Sequence, residues 1–83
     1  MPASSEAAYQ RSRAEYLLAR IAELGGPASR GGTVHRAVLS TELRDAATTR
    51  VETHRYFDAD GNPVGTATWI ARKVDGGWEG EGA

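Results

Sequence analysis

The chain contains no cysteine. That absence excludes a disulfide framework and any cysteine-ligated zinc site, and it fits a reducing cytoplasm. Lysine is nearly missing too, since nine of the ten basic residues are arginine and only Lys73 is not. Together with abundant alanine and glycine, this bias is expected of a GC-rich bacterial or phage genome. No apolar run approaches the roughly 20 residues that span a bilayer. The opening Met-Pro-Ala-Ser-Ser-Glu has neither the basic nor the apolar region of a signal peptide, so a soluble cytoplasmic protein with no membrane contact is expected. A strong charge excess is also absent. The net charge is −1, with Asp75, Glu79 and Glu81 in the last nine residues, and without them 10 basic residues face 8 acidic ones. This is far from the basic stripe of a protein that draws its affinity from phosphate contacts. A domain of 83 residues buries only about 60% of the surface its unfolded chain exposes. A second copy can supply the missing burial, and a homodimer is one expectation.

What the chain has in plenty is β-hairpin signal. Thr48 to Phe57 and Val64 to Val74 flank Asp58-Ala-Asp-Gly-Asn-Pro63. A two-residue type I′ turn at Asp60-Gly61 would set Ala59 opposite Asn62 and Phe57 opposite Val64. Val51 then faces Ile70, Thr53 faces Thr68 and Ala47 faces Val74, which makes one largely apolar face with Arg55 and Thr66 as its polar exception. The other face carries Arg50, Glu52, His54 and Tyr56 from one strand and Trp69 and Lys73 from its partner. A longer turn around Asn62-Pro63 would slip the register by one residue and exchange the faces of one strand.

Upstream, Ser4 or Ser5 can cap a helix in which Ala7, Ala14, Leu17, Leu18, Ile21 and Leu24 form an apolar stripe until Gly25-Gly26-Pro27 ends it. On a flank of that stripe lie Tyr9, Arg13, Tyr16 and Arg20, a secondary candidate surface of interleaved aromatics and cations. Ser29-Arg30-Gly31-Gly32-Thr33 reads as a connector and not a phosphate loop, because it follows a helix and lacks a lysine. Val34 to Ala47 alternates as a strand, with Ala37, Leu39, Thr41 and Leu43 on one side and Arg36, Val38, Ser40 and Glu42 on the other. The expected fold is therefore α+β: an amphipathic helix on a three-stranded antiparallel meander, α-β-β-β, over residues 1–74. Read instead as a helix capped by Thr33, the same segment gives a winged-helix-like alternative with the hairpin as wing. Residues 75–83 hold four glycines and three acids. They read as a disordered tail whose one apolar anchor is Trp78.

Catalysis has few candidates. His35, His54, Glu52, Asp58 and Asp60 are the plausible players; His54 and Glu52 share a strand face and could share a hydrogen bond, but no second candidate group stands in register with them, and a surface pair is expected. Asp58, Asp60 and Asn62 mimic the start of a calcium loop, but Pro63 replaces the required glycine and no glutamate follows at the twelfth position. No enzyme, metal site or cofactor is expected. The aromatic and basic hairpin face, Arg50, His54, Tyr56, Trp69 and Lys73, is the principal candidate, because Trp, Tyr and Arg dominate binding hot spots. It suits a protein partner first and unpaired bases second. The expected function is a small accessory subunit, inhibitor or regulator of the phage or mobile-element kind, in which Trp69→Ala abolishes partner capture and spares the fold. The alternative is a winged-helix DNA regulator with Arg36 to Arg44 as recognition helix.

Overall fold

The computed structural model describes residues 5–83. The helix α1, Glu6–Glu23, begins where the Ser5 hydroxyl accepts a hydrogen bond from Ala8 N at 3.1 Å, the N-cap arrangement that satisfies an otherwise orphan donor. Ser4, the other candidate cap, lies outside the described residues. Leu24 closes the helix, and the chain turns through a short 3-10 segment, Ala28–Arg30. Strands β1 (Arg36–Arg44), β2 (Thr49–Phe57), β3 (Pro63–Val74) and β4 (Gly77–Gly82) follow as one antiparallel sheet in the order β1-β2-β3-β4.

The α+β class is as expected, and the meander has four strands, not three. Residues 36–44 form a strand throughout, so the winged-helix alternative loses its recognition helix; α1 is the single α-helix among the described residues. The expected disordered tail is β4. Its composition misleads because the glycines serve close packing: a Cβ on Gly80 would run into the Trp69 indole, and one on Gly82 into the Tyr16 ring. Glycine at these positions lets β4 lie directly beneath two aromatic rings.

Val51 pairs with Ile70, Thr53 with Thr68 and Arg55 with Thr66, as counted from the sequence. The turn, however, is not the two-residue one. Gly61 N donates to Asp58 O at 3.1 Å and Asp58 N to Asn62 O at 3.0 Å, with Gly61 at φ 82°, a three-residue loop closed by a left-handed glycine. The Asp58 carboxylate holds it from inside, accepting from Asp60 N and Asn62 N, each at 2.9 Å. Such a loop alone would shift the strands by one residue. A bulge restores the count, because Tyr56 pairs with Gly65 but Phe57 with Pro63, leaving Val64 as the extra residue instead of the partner of Phe57. Ala47 does not reach Val74. It sits in the turn between β1 and β2, at φ 68°.

The largest departure concerns which face is inside. Helix α1 lies over β3 and β4 on the side that carries Glu52, His54, Tyr56, Ala67, Trp69 and Ala71, and all six are buried. The face of Val51, Thr53, Thr68 and Ile70 is the one without a covering layer. Area decides the choice: a buried Tyr or Trp removes 150–250 Å² from water, and the inner face holds Tyr56 and Trp69, while the opposite face offers one aromatic, Phe57, with Val51, Ile70 and Val74 among solvation-tolerant threonines. The alanines and glycines on the chosen face leave room for the helix.

Candidate interaction surface

The aromatic and basic residues expected to project from the hairpin build the interior instead. Trp69 and Tyr56 are each 2% exposed and His54 is 8% exposed, so none of the three can serve as an exposed anchor. The Trp69 indole Nε1 donates to the Tyr9 hydroxyl at 3.0 Å, meets the Tyr9 ring edge-on at 6.0 Å between centroids, and packs against Tyr16 at 5.7 Å. The His54 ring stacks on Tyr56. Arg50 is half-buried with its guanidinium over the Trp78 ring, 4.4 Å from the centroid, and Lys73 is exposed beside it. The five residues therefore do not form one binding face.

The secondary surface on the helix is likewise an inner face. Tyr9 is buried, and Tyr16 packs over Trp69, its hydroxyl accepting from Thr68 N and donating to Ala83 O, each at 3.3 Å. Arg20 Nε donates to Thr66 O at 2.8 Å. Arg13 grips the buried Glu52 carboxylate with two bonds, at 2.9 and 2.7 Å. At 100° per residue, the docked face is centred about 90° from the aliphatic stripe. Leu17, Ile21 and Leu24 still reach the Val34, Tyr56 and Ala67 cluster, whereas Ala7, Ala14 and Leu18 are exposed, Leu18 at 63%.

His54, Glu52 and Arg13 bring residue types used in catalysis together beneath the helix. Burial, and next the Arg13 charge, hold the His54 imidazole below its ordinary pKa, and its Nε2 is buried without a hydrogen-bond partner. The groove of about 420 Å³ at Leu18, Ile21 and Pro27, and that of about 340 Å³ at Tyr16, Arg20 and Thr66, are lined by neither His54 nor Glu52. Among the described residues, no three His, Cys, Asp or Glu side chains converge as a metal-binding group, and no helix is long and apolar enough to cross a membrane.

What remains at the surface is strand β1. All nine of its residues are exposed, with Val38 at 41%, Leu39 at 51% and Leu43 at 60%. It is a sheet edge, paired with β2 alone. Lys73 N donates to Thr48 O at 2.8 Å, so even-numbered residues of β2 bond to β3. By the alternation of antiparallel ladders, its odd-numbered residues bond to β1, where they meet Val38, Ser40, Glu42 and Arg44. The N–H and C=O groups of Ala37, Leu39, Thr41 and Leu43 therefore point out along the free edge.

Edges are ordinarily blunted by short length, proline, a bulge, a covering element or charged side chains, lysine above all. Strand β1 is nine residues long and has no proline; its charges, Arg36, Glu42 and Arg44, all lie on the face away from α1, and its helix-side row is Ala, Leu, Thr, Leu. The opposite edge, β4, is short, glycine-rich and packed against α1. The site was readable as soon as residues 34–47 became the third strand of a meander, because such a strand is necessarily an edge. Comparison with known proteins finds no family, no curated protein and no solved structure that matches the chain.

Proposed function

We propose that the chain is a small non-catalytic protein-binding module that engages an extended segment of protein along β1, adding a strand to its sheet. The observation that supports this reading is the long, proline-free β1 edge: outward backbone groups at Ala37, Leu39, Thr41 and Leu43, with Leu39 and Leu43 exposed beside them and the charged residues confined to the other face. In strand addition, main-chain hydrogen bonds supply affinity and the alternating side-chain row supplies selectivity. An accessory subunit, inhibitor or regulator is the kind of protein that works this way. The role passes from the hairpin's buried aromatics to an aliphatic edge, and the partner class stays protein.

Selection of displayed random peptides on the immobilised chain tests the reading, at a surface density low enough to keep copies apart. Enriched peptides are expected to be extended and alternately apolar, and to lose binding to Thr41→Pro. That substitution deletes an outward N–H and leaves the ladder to β2 intact. Peptides that bind Thr41→Pro equally well would place the interaction elsewhere and end the proposal.

A further inference from the structure

The segment that adds to β1 is, we infer, β1 of a second copy. This inference rests on strand addition at the same edge and names its partner. Antiparallel pairing of β1 with itself about a two-fold axis keeps outward-bonding residues opposite outward-bonding residues, because odd positions meet odd positions. The register centred on Thr41 places Leu39 opposite Leu43 of the second copy, and Leu43 opposite its Leu39. Each such pair, and the Thr41 pair on the axis, exchanges both backbone hydrogen bonds. Four half-exposed leucine side chains thereby join in one cluster on the helix side.

The other face accepts the same register without conflict. Ser40 falls opposite Glu42 of the second copy and Val38 opposite its Arg44, with no like charges directly facing. Within each copy Glu42 already neutralises Arg44 at 3.0 Å. Centring on Ser40 instead would set Arg36 against Arg44 of the other copy, a repulsive pair. The net charge of −1 gives two copies no long-range repulsion. The product is a continuous eight-stranded sheet with both helices on one side, in which β1 moves from an edge to the centre. A heterologous partner would need none of this self-complementarity.

Sedimentation velocity across a concentration series, run with hydrogen exchange on the same samples, decides the matter. The wild-type chain is expected to dimerise, with the amides of Leu39, Thr41 and Leu43 protected in proportion to the dimer. Each lesion occurs twice in a symmetric pair, so a tenfold loss per site compounds to about 100-fold weaker association for Thr41→Pro and for Leu39→Lys. Circular dichroism checks the fold; if Thr41→Pro perturbs it, Leu39→Lys, on an exposed side chain, carries the test. A dimer indifferent to the substitutions, or one whose β1 amides exchange freely, overturns the inference. A monomer at every concentration that still selects extended peptides overturns self-pairing and leaves strand addition standing. A monomer that selects none overturns both.

Discussion

Replacing Trp69 by alanine separates a surface anchor from a core residue by several kcal/mol. An exposed tryptophan truncated to alanine changes stability by less than about 0.5 kcal/mol. Trp69 is 2% exposed, holds the Tyr9 hydroxyl, contacts two tyrosine rings and roofs Gly80. Truncating a buried aromatic of this kind costs about 3–5 kcal/mol, and the buried Tyr9 hydroxyl loses its donor for about 1 kcal/mol more. A domain of this length has about 4–12 kcal/mol in total, at roughly 0.05–0.15 kcal/mol per residue.

Urea unfolding followed by far- and near-ultraviolet circular dichroism reads the difference directly. With a slope of about 1 kcal/mol/M for a chain this small, the midpoint falls by about 3 M or more, and a large unfolded fraction is present without denaturant. Trp69→Phe keeps a ring in place and loses only the indole donor and part of the area, so its loss is expected to be near 1–2 kcal/mol. A midpoint for Trp69→Ala within about 0.5 M of wild type would refute the placement of the aromatic face inside.

Two further outcomes follow from the same interior and a third from the exposed turn between β1 and β2. His54 is kept neutral by burial and by Arg13, with its folded pKa below the 6.5 of the free side chain. The unfolded chain therefore takes up that proton first, and stability falls as pH drops below about 6.5. His54→Phe removes the unpartnered Nε2 and is expected to flatten the change in urea midpoint between about pH 7.5 and 5.5 relative to wild type; an unchanged difference would clear His54 of the effect. Arg13→Ala strands the Glu52 carboxylate, whose side chain is 7% exposed, at a loss of about 3 kcal/mol by the same unfolding assay. Arg13→Met with Glu52→Leu should recover most of it. Asp45, Ala46 and Ala47 all have positive φ, between 52° and 68°, a conformation that costs an L-residue about 1–2 kcal/mol. Ala46→Gly and Ala47→Gly are each expected to raise the thermal midpoint, and a fall in both would show the turn to be unstrained.

The helix and three of the four strands were legible in the sequence; β4 and the choice of inner face were not. The helix and the hairpin pairings at Val51, Thr53 and Arg55 follow from local periodicity and turn chemistry, and the strand Arg36–Arg44 is one of the two readings that the periodicity of residues 34–47 allows. Periodicity shows that two faces exist without naming the inner one. Here the face with Glu52 and Arg50 looked solvated because Arg13, which neutralises Glu52, lies 39 residues away in sequence. The tail failed for a related reason. Glycine-rich composition signals disorder on average, but Gly80 and Gly82 are required by the Trp69 and Tyr16 rings that cross β4, a contact no local pattern displays.

The width of the elements accounts for where the open surface falls. A helix with its side chains is about 10–12 Å across, and strands lie about 4.8 Å apart, so one helix covers roughly two strands of four. Helix α1 takes β3 and β4, because the aromatic residues Trp69 and Trp78 and the small residues Ala71, Gly80 and Gly82 lie there. Arg13, Leu17 and Ile21 on its flank still reach the helix-side row of β2, and strand β1 lies one strand spacing beyond that, exposed along its whole length. Nine ordered residues with almost no burial are held by one ladder to β2, and little else opposes the loss of backbone entropy, about 1–2 kcal/mol per residue. Pairing the free side of β1, as proposed above, would supply the missing stabilisation where the single helix does not reach. The same geometry that leaves the edge uncovered is what recommends it as the surface for the proposed association.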